Sequence, residues 1–505
     1  MARKHWTGVW IGVAAAALAG GATAQEAVTL TLAEALELAR QNNPAFLSTR
    51  NDEGVAAWSL REAYGNFLPR ASVNAGVDYQ EPGAARIGTF TAEELGFARS
   101  PSYYFSDYSA SVSLSLSGQT FFNVAQQRAN RHAAAAGVRA AEVMLESAVT
   151  QSYIAVLRAR DLVEVRRQQL ERAEENLTLA AARAAAGVAI PLDAKQAQVE
   201  RGRAQVNLLT AESDHETARL RLIQMIGLEL DWDVRLTTEF TVFEPAWSRQ
   251  SLVELATSTH PTLRSLGATA SAQRSAARTA WSAYLPSLTA LARLSGFTRQ
   301  VGSDAYLIEQ GKGALENRFE SCQDFNDLNA RLADPYPPQD CSRFALTDAR
   351  LDSIQGAVLL NNRAFPFDFE KQPMTFSVGV SLPVFQGFSR QRQIEQAEAA
   401  AEDTELLLRG ERLRLRTDVG AAHRRLTTAY QAVRIEETNR VLAEEQLGMA
   451  RERYRVGLDS FIQLTDAETL KSEADQAYLA AVYTFHEALA DLESAVGQAL
   501  RPESR

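Results

Sequence analysis

The chain has 505 residues, with 52 Lys or Arg against 62 Asp or Glu, a formal net charge of −10. No basic cluster stands out, which sets nucleic acid aside as a partner. Six histidines show no HExxH or paired-ligand spacing, and neither a phosphate-binding glycine loop nor a GxSxG elbow occurs, so no catalytic residue, metal ligand or cofactor site emerges.

In chain order, Arg3 and Lys4 precede an apolar run from Val9 to Ala19, and Ala22-Thr23-Ala24 offers small residues where a signal peptidase reads. The pattern predicts a signal peptide over 1–24 and an exported chain. Its removal would take the charge to −12, since the segment holds two basic residues and no acidic one. Gln25 follows the cut and no Cys precedes Cys322, so the expectation is a protein that is not a lipoprotein. Beyond the cut, no uninterrupted apolar run reaches the roughly 18 residues a spanning helix needs. Any crossing of a bilayer is therefore expected to use strands.

The motif ELARQNNPAF (37–46) leads through NFLPRAS to a strand over about 70–80, where Ala71, Val73, Ala75, Val77 and Tyr79 share one face. A second strand is expected over 108–118, YSASVSLSLSG, in which apolar residues alternate with Ser109, Ser111, Ser113, Ser115 and Ser117. Tyr103, Tyr104, Phe105, Phe121 and Phe122 flank it like an interfacial girdle. No proline occurs between Pro101 and Pro191, leaving room from about 123 to 186 for a helix of ~95 Å. The turn AAAGVAIPLDAKQA (184–197) then leads into a further helix.

After a connector at 231–250 the design returns. ELATSTHPTL (254–263) and AYLPSLT (283–289) stand 217 residues beyond their first copies; Gly457 and Val496-Gly497 stand 270 beyond Gly187 and Ile226-Gly227. Two repeats, 25–230 and 251–500, each read helix, strand, loop, strand, long helix, turn, long helix. Strands are expected over 285–297 and 374–385, the latter carrying Met374, Phe376, Val378, Val380, Leu382 and Val384 on one face. Between them lies an enlarged connection, 298–373, whose Cys322 and Cys341 are expected to form a disulfide in an exported protein. In the first long helix of the second repeat Leu415, Val419, Ala422, Leu426, Ala429 and Val433 step by four and three as a coiled-coil seam. The same seam read 270 residues earlier is Leu145, Val149, Ser152, Val156, Ala159 and Val163.

Four amphipathic strands cannot close a barrel, and an open edge in lipid would leave backbone groups unpaired. The chain is thus expected to oligomerise, two copies giving eight strands and three giving twelve, wide enough for a pore. The serine faces would then line water. A periplasmic coiled-coil scaffold or adaptor is the competing reading, and an outer-membrane enzyme a third.

The repeated NPAF and HPTL, the FLP and YLP strand entries, the junction SLPVFQGF followed by IEQAEAA, and the two helix tips together resemble the TolC family of outer membrane efflux proteins. The resemblance covers almost all of 28–500. It implies a mixed α and β fold: a homotrimer whose twelve-stranded transmembrane barrel continues into a long helical tunnel through the periplasm of a Gram-negative bacterium. Such a duct serves drug efflux or type I secretion, working with a periplasmic adaptor and an inner-membrane pump of the RND or ABC type, and 298–373 would lie outside the cell. Carried over residue by residue, Gly187, Val188, Val456, Gly457 and Leu458 resemble the small apolar tip that meets the adaptor. Asp466 matches an aspartate at the closed entrance, and Gln463 replaces a second one a turn earlier. Tyr454 and Asp193 match a hydrogen-bonded latch, with Asp459 where an arginine often stands.

Overall fold

A computed structural model describes residues 28–83, 86–91, 94, 101–228 and 234–501. The expected signal peptide at 1–24 lies outside the described residues, as do 231–233 of the connector. The elements in order are β1 (Val28–Leu30), α1 (Leu32–Asn42), α2 (Pro44–Gly65), β2 (Arg70–Gln80), β3 (Arg86–Ile87), β4 (Phe90–Thr91), β5 (Tyr103–Leu116), α3 (Gly118–Ala185) and α4 (Pro191–Ile226). They continue with β6 (Val234–Leu236), α5 (Arg249–Thr259), α6 (Pro261–Trp281), β7 (Ser287–Val301), α7 (Asp304–Asn329), α8 (Asp348–Asn361), β8 (Glu370–Lys371), β9 (Thr375–Ser381), α9 (Ser389–Val456) and α10 (Phe461–Val496). Two compact units share the chain.

One unit takes Ser59–Gln127 and Arg274–Glu398 and holds the main sheet, ordered β2, β5, β7, β9, all antiparallel, with β8 also on β7. Its register keeps like faces together. Ser111 pairs with Ser72 on one side and Arg293 on the other; Val112 pairs with Ala71 and Ala292. The hydroxyls of Ser72 and Ser111 meet at 2.9 Å. A slip of one residue would exchange the faces, so the alternation itself fixes the register. The apolar face, with Val73, Val77, Val112, Phe376, Val378 and Val380, is exposed, and among the described residues the outer edges of β2 and β9 have no strand partner.

Several boundaries differ from expectation. β5 begins at Tyr103, so Tyr103, Tyr104 and Phe105 belong to the strand rather than flanking it. Tyr104 packs on Tyr79 and Phe365, and Tyr108 on Phe369, cross-strand and overlying rings that extend the ladder outward. β7 likewise runs to Val301, past the expected end at 297, while β9 is shorter than 374–385. At this end Ser106 is buried, bonded to Thr298 and donating to the Pro366 carbonyl at 2.7 Å, so the segment from 365 covers part of the apolar face.

The long connection is not a loop but a helical insertion of α7 and α8. Ser303 caps α7, accepting from the Tyr306 amide. Cys322 and Cys341 are joined as a disulfide. Three asparagines replace missing backbone partners: Asn326 holds Gln339, Asn329 holds Tyr336, and buried Asn362 bonds both the amide and the carbonyl of Val301.

The other unit takes residues up to Trp58, Arg128–Gln273 and Ala399–Arg505. Here β1 pairs in parallel with β6, and the Tyr153 hydroxyl donates to the Leu30 carbonyl at 2.8 Å while accepting from the Thr238 amide. The expected seam of α9, Leu415 to Val433, is buried throughout. That of α3 is shifted: Leu145, Val149 and Val156 are buried, but Tyr153, Ile154 and Leu157 are too, while Ser152, Ala159 and Val163 are only half-buried. The α3 stripe is broader because it also meets Ala35 and Ala39 of α1 and Leu222 and Ile226 of α4.

The Asn-Pro and His-Pro motifs have matching tasks. Asn43 donates to the Met225 carbonyl at 2.8 Å, and the His260 ring lies 3.2 Å from the Ser494 carbonyl, each bonding the carboxyl end of a long helix. Gly227 and Gly497 close those ends in the left-handed region, at φ 82° and 81°, where added side-chain carbons would strike Asn42 and His260. Among the described residues no helix is long and apolar enough to cross a membrane.

Candidate functional site

The two turns that join the long helices are built alike. Gly187 (φ 74°) and Gly457 (φ 87°) end α3 and α9 in the left-handed region. In each, the next residue's amide reaches back to a carbonyl five residues earlier, Val188 to Arg183 and Leu458 to Arg453. This is the Schellman closure, which satisfies helix carbonyls that a frayed end would leave to water. The following helices start at Pro191 and Phe461. Val188, Ile190, Leu192, Val456, Leu458 and Ile462 are all more than half exposed, an apolar density that an isolated turn has no reason to present.

Behind the turns a small core holds Ala180, Ala197, Leu447, Tyr454, Phe461, Leu464 and Ala467. Tyr454 is 1% exposed, and its hydroxyl has no hydrogen-bond partner among the described residues. The expected Tyr454 to Asp193 bond is thus not made; Asp193 acts on the phenol only through its charge, which, after burial, raises the phenol's pKa, with Arg183 opposing. Arg183, which the sequence did not single out, lies over the Tyr454 ring at 4.3 Å. Asp459 accepts two bonds from Arg453, at 2.9 and 3.0 Å, so its charge is spent within its own turn.

Gln463 has a local role. Its side-chain oxygen accepts from the Ser460 amide at 2.9 Å while its own amide donates to the Ser460 hydroxyl, a capping box that starts α10. Asp466 is exposed beside Ile462, across from Leu192 and Lys195 of α4.

One or two turns further along α10 lies an ionic cluster that no spacing in the sequence announces. Lys471, 3% exposed, bonds Asp475 and reaches Glu444 at 3.0 Å; Arg440 also donates to Asp475 at 3.0 Å. Arg172 and Asn176 of α3 both donate to Glu468. The helices here are joined by charge rather than by apolar side chains.

Solved structures similar to this chain include outer-membrane channels. OprN is 15% identical with a TM-score of 0.65, covering 93% of this chain and 91% of that one. CmeC of Campylobacter jejuni is 15% identical with a TM-score of 0.66, covering 92% and 85%. VceC of Vibrio cholerae is 14% identical with a TM-score of 0.64, covering 93% and 97%. At such identities the likeness is one of fold. No curated protein sequence matches the chain significantly. The family model described as outer membrane efflux protein matches residues 35–228 and 354–498, well over half of the chain. The chain belongs to that family of outer membrane efflux proteins.

Proposed function

We propose that the chain is the outer-membrane duct of a tripartite efflux or type I secretion system, embedded as a homotrimer. The carrying observation is the sheet: four register-matched strands with one hydroxyl-rich face, one exposed apolar face, and outer edges on β2 and β9 that are unpaired among the described residues. In hydrocarbon such edges must pair, and three copies joined edge to edge give a closed twelve-stranded barrel. An internal repeat is supported by helix lengths, since α3 and α9 both have 68 residues and α4 and α10 both have 36.

In this reading α3, α4, α9 and α10 build a periplasmic tunnel and the insertion 298–373 faces the cell exterior. Gly187, Val188, Val456, Gly457 and Leu458 meet the periplasmic adaptor, which links the duct to an inner-membrane pump. Asp466 lines the entrance, where three like charges attract cations; Tyr454 joins the two turns through Arg183, Asp193 acts on it by charge, and Gln463 caps α10. The sequence carries no phosphate-binding glycine loop, and the energy for transport is assigned to the pump.

Planar-bilayer recording of detergent-purified protein, with its mass measured alongside, tests the proposal. A trimer with a small, cation-preferring conductance is expected. A protein that needs no detergent and forms no channel would overturn it in favour of a periplasmic scaffold.

A further inference from the structure

The register of the main sheet sorts its hydroxyl face into rows that run across the strands, and charge is not mixed evenly among them. Outward from the end where α3 begins, one row holds Arg70, Ser113 and Leu291, the next Ser72, Ser111 and Arg293, and a third Asn74, Ser109 and Ser295. These rows contain two arginines and no acid. The carboxylates stand further out, with Asp107 and Glu370 on either side of Phe297, and Asp78 in the row of Phe105 and Arg299 beyond them.

The three arginines differ in what holds them. Arg299 lies over the rings of Tyr103 and Phe105, at 4.2 and 5.8 Å. Arg70 donates to the side-chain oxygen of Asn66, an amide that aims the guanidinium without neutralising it. Arg293 is exposed and, among the described residues, has no hydrogen bond, ion pair or ring contact. Two strands and one row apart, the α carbons of Arg70 and Arg293 stand about 12 Å from each other by ordinary sheet spacings, a gap that two extended side chains span. On the helix side, Arg70 borders a recess of about 420 Å³ whose walls include Asn66, Ser113, Ser115, Ser117 and Asn123, and no carboxylate lines it. A wall that only has to be wetted is served by hydroxyls alone. Two guanidiniums without a counter-charge leave a standing positive potential.

We propose that this part of the hydroxyl face is an anion-binding station in the exit path, which takes solutes bearing a carboxylate or phosphate on a polar body. Arg293 and Arg70 each offer the planar fork of donors that fits an oxyanion, and the recess receives the neutral remainder through hydroxyls and amides. The acidic rows bound the station on its outer side. The inference rests on the trimeric duct proposed above, in which the hydroxyl face lines water, and adds to it a class of cargo. Asp466 acts on small ions at the closed entrance; the arginines act beyond it, on what the opened duct has let through.

Fluorescence anisotropy of carboxyfluorescein added to the detergent-purified trimer at low salt tests the station, with citrate as competitor. The dye is expected to bind saturably, to be displaced by citrate but not by the same concentration of uncharged sucrose, and to be released as salt rises. R293Q removes a side chain with no bonding partner among the described residues and is expected to weaken citrate about tenfold, whereas R293K keeps the charge and most of the binding. R70Q combined with R293Q is expected to abolish displacement; should R70Q disturb the entry to β2, R293E alone replaces it. A trimer that binds neither dye nor citrate overturns the proposal, as does citrate binding that is unchanged in R293Q and R293E. A protein that is not trimeric by mass instead overturns the reading beneath it.

Discussion

The guanidinium of Arg183 lies 4.3 Å from the centre of the Tyr454 ring, joining the end of α3 to the end of α9 through a cation and a π face. The Tyr454 hydroxyl beneath it has no hydrogen-bond partner among the described residues. This pair, rather than a Tyr454 to Asp193 bond, connects the two turns of one chain.

Removing the hydroxyl and the ring contact therefore has different effects. Tyr454→Phe deletes a buried polar group that is unsatisfied within the chain and is expected to leave thermal stability unchanged or raise it by about 1 kcal/mol. Arg183→Ala loses the cation–π contact and is expected to cost about 1 kcal/mol. A clear loss of stability in Tyr454→Phe would mean that another copy supplies the missing partner.

At the entrance, Arg183→Ala combined with Asp466→Ala is expected to raise single-channel conductance and weaken cation preference, because it removes the contact that joins the two turns and the entrance charge together. Conductance equal to that of the unmodified channel would count against both assignments.

Lys471 is nearly fully buried between Asp475 and Glu444. Lys471→Met leaves Asp475 with Arg440 and Arg172 only, and is expected to cost about 3 kcal/mol, the low end for breaking a buried pair. A thermal melt that does not move would show that the two arginines suffice.

His486 packs against Phe240 and Phe485, with Tyr483 and Arg501 nearby, and burial followed by the Arg501 charge pushes its pKa down to about 4. The folded state thus binds its proton less readily than the unfolded chain, whose imidazole titrates near 6.5. Its stability is complete above that value and is lost progressively as pH falls from about 6.5 to 4, by on the order of 3 kcal/mol in full. Melting curves across this window are expected to be flatter for His486→Phe than for the unmodified protein; parallel curves would refute the assignment.

The two faces of the sheet make opposite predictions for one substitution. Val112→Arg on the apolar face is expected to cost about 2 to 4 kcal/mol or to block membrane insertion, whereas Ser111→Arg on the hydroxyl face is expected to insert normally and alter ion selectivity. Equal tolerance of both, measured by heat-modifiable mobility of the membrane fraction, would remove the barrel reading.

What could be read from the sequence was what repeats over short distances. The strand at 70–80 has its expected bounds because its alternation is unbroken, and α9 buries its expected seam because three-and-four spacing persists over many turns. The outer ends of β5 and β7 were less legible, since Tyr103, Tyr104 and Phe105 are consecutive aromatics that break the two-residue rhythm. Gln463 carried a legible signal that the family likeness obscured: Ser460 followed by Gln463 is a capping pattern. Arg183 and the Lys471 cluster had no such signal. Arg172 finds Glu468 from 296 positions away, a distance at which spacing says nothing and only the fold decides.

The unpaired edges of β2 and β9 also bear on genetics. If assembly is edge to edge, a subunit damaged only along β9 keeps a sound β2 and still recruits a normal neighbour. Such an allele would poison mixed complexes when expressed beside the intact gene, whereas a chain damaged along both edges would be excluded and recessive.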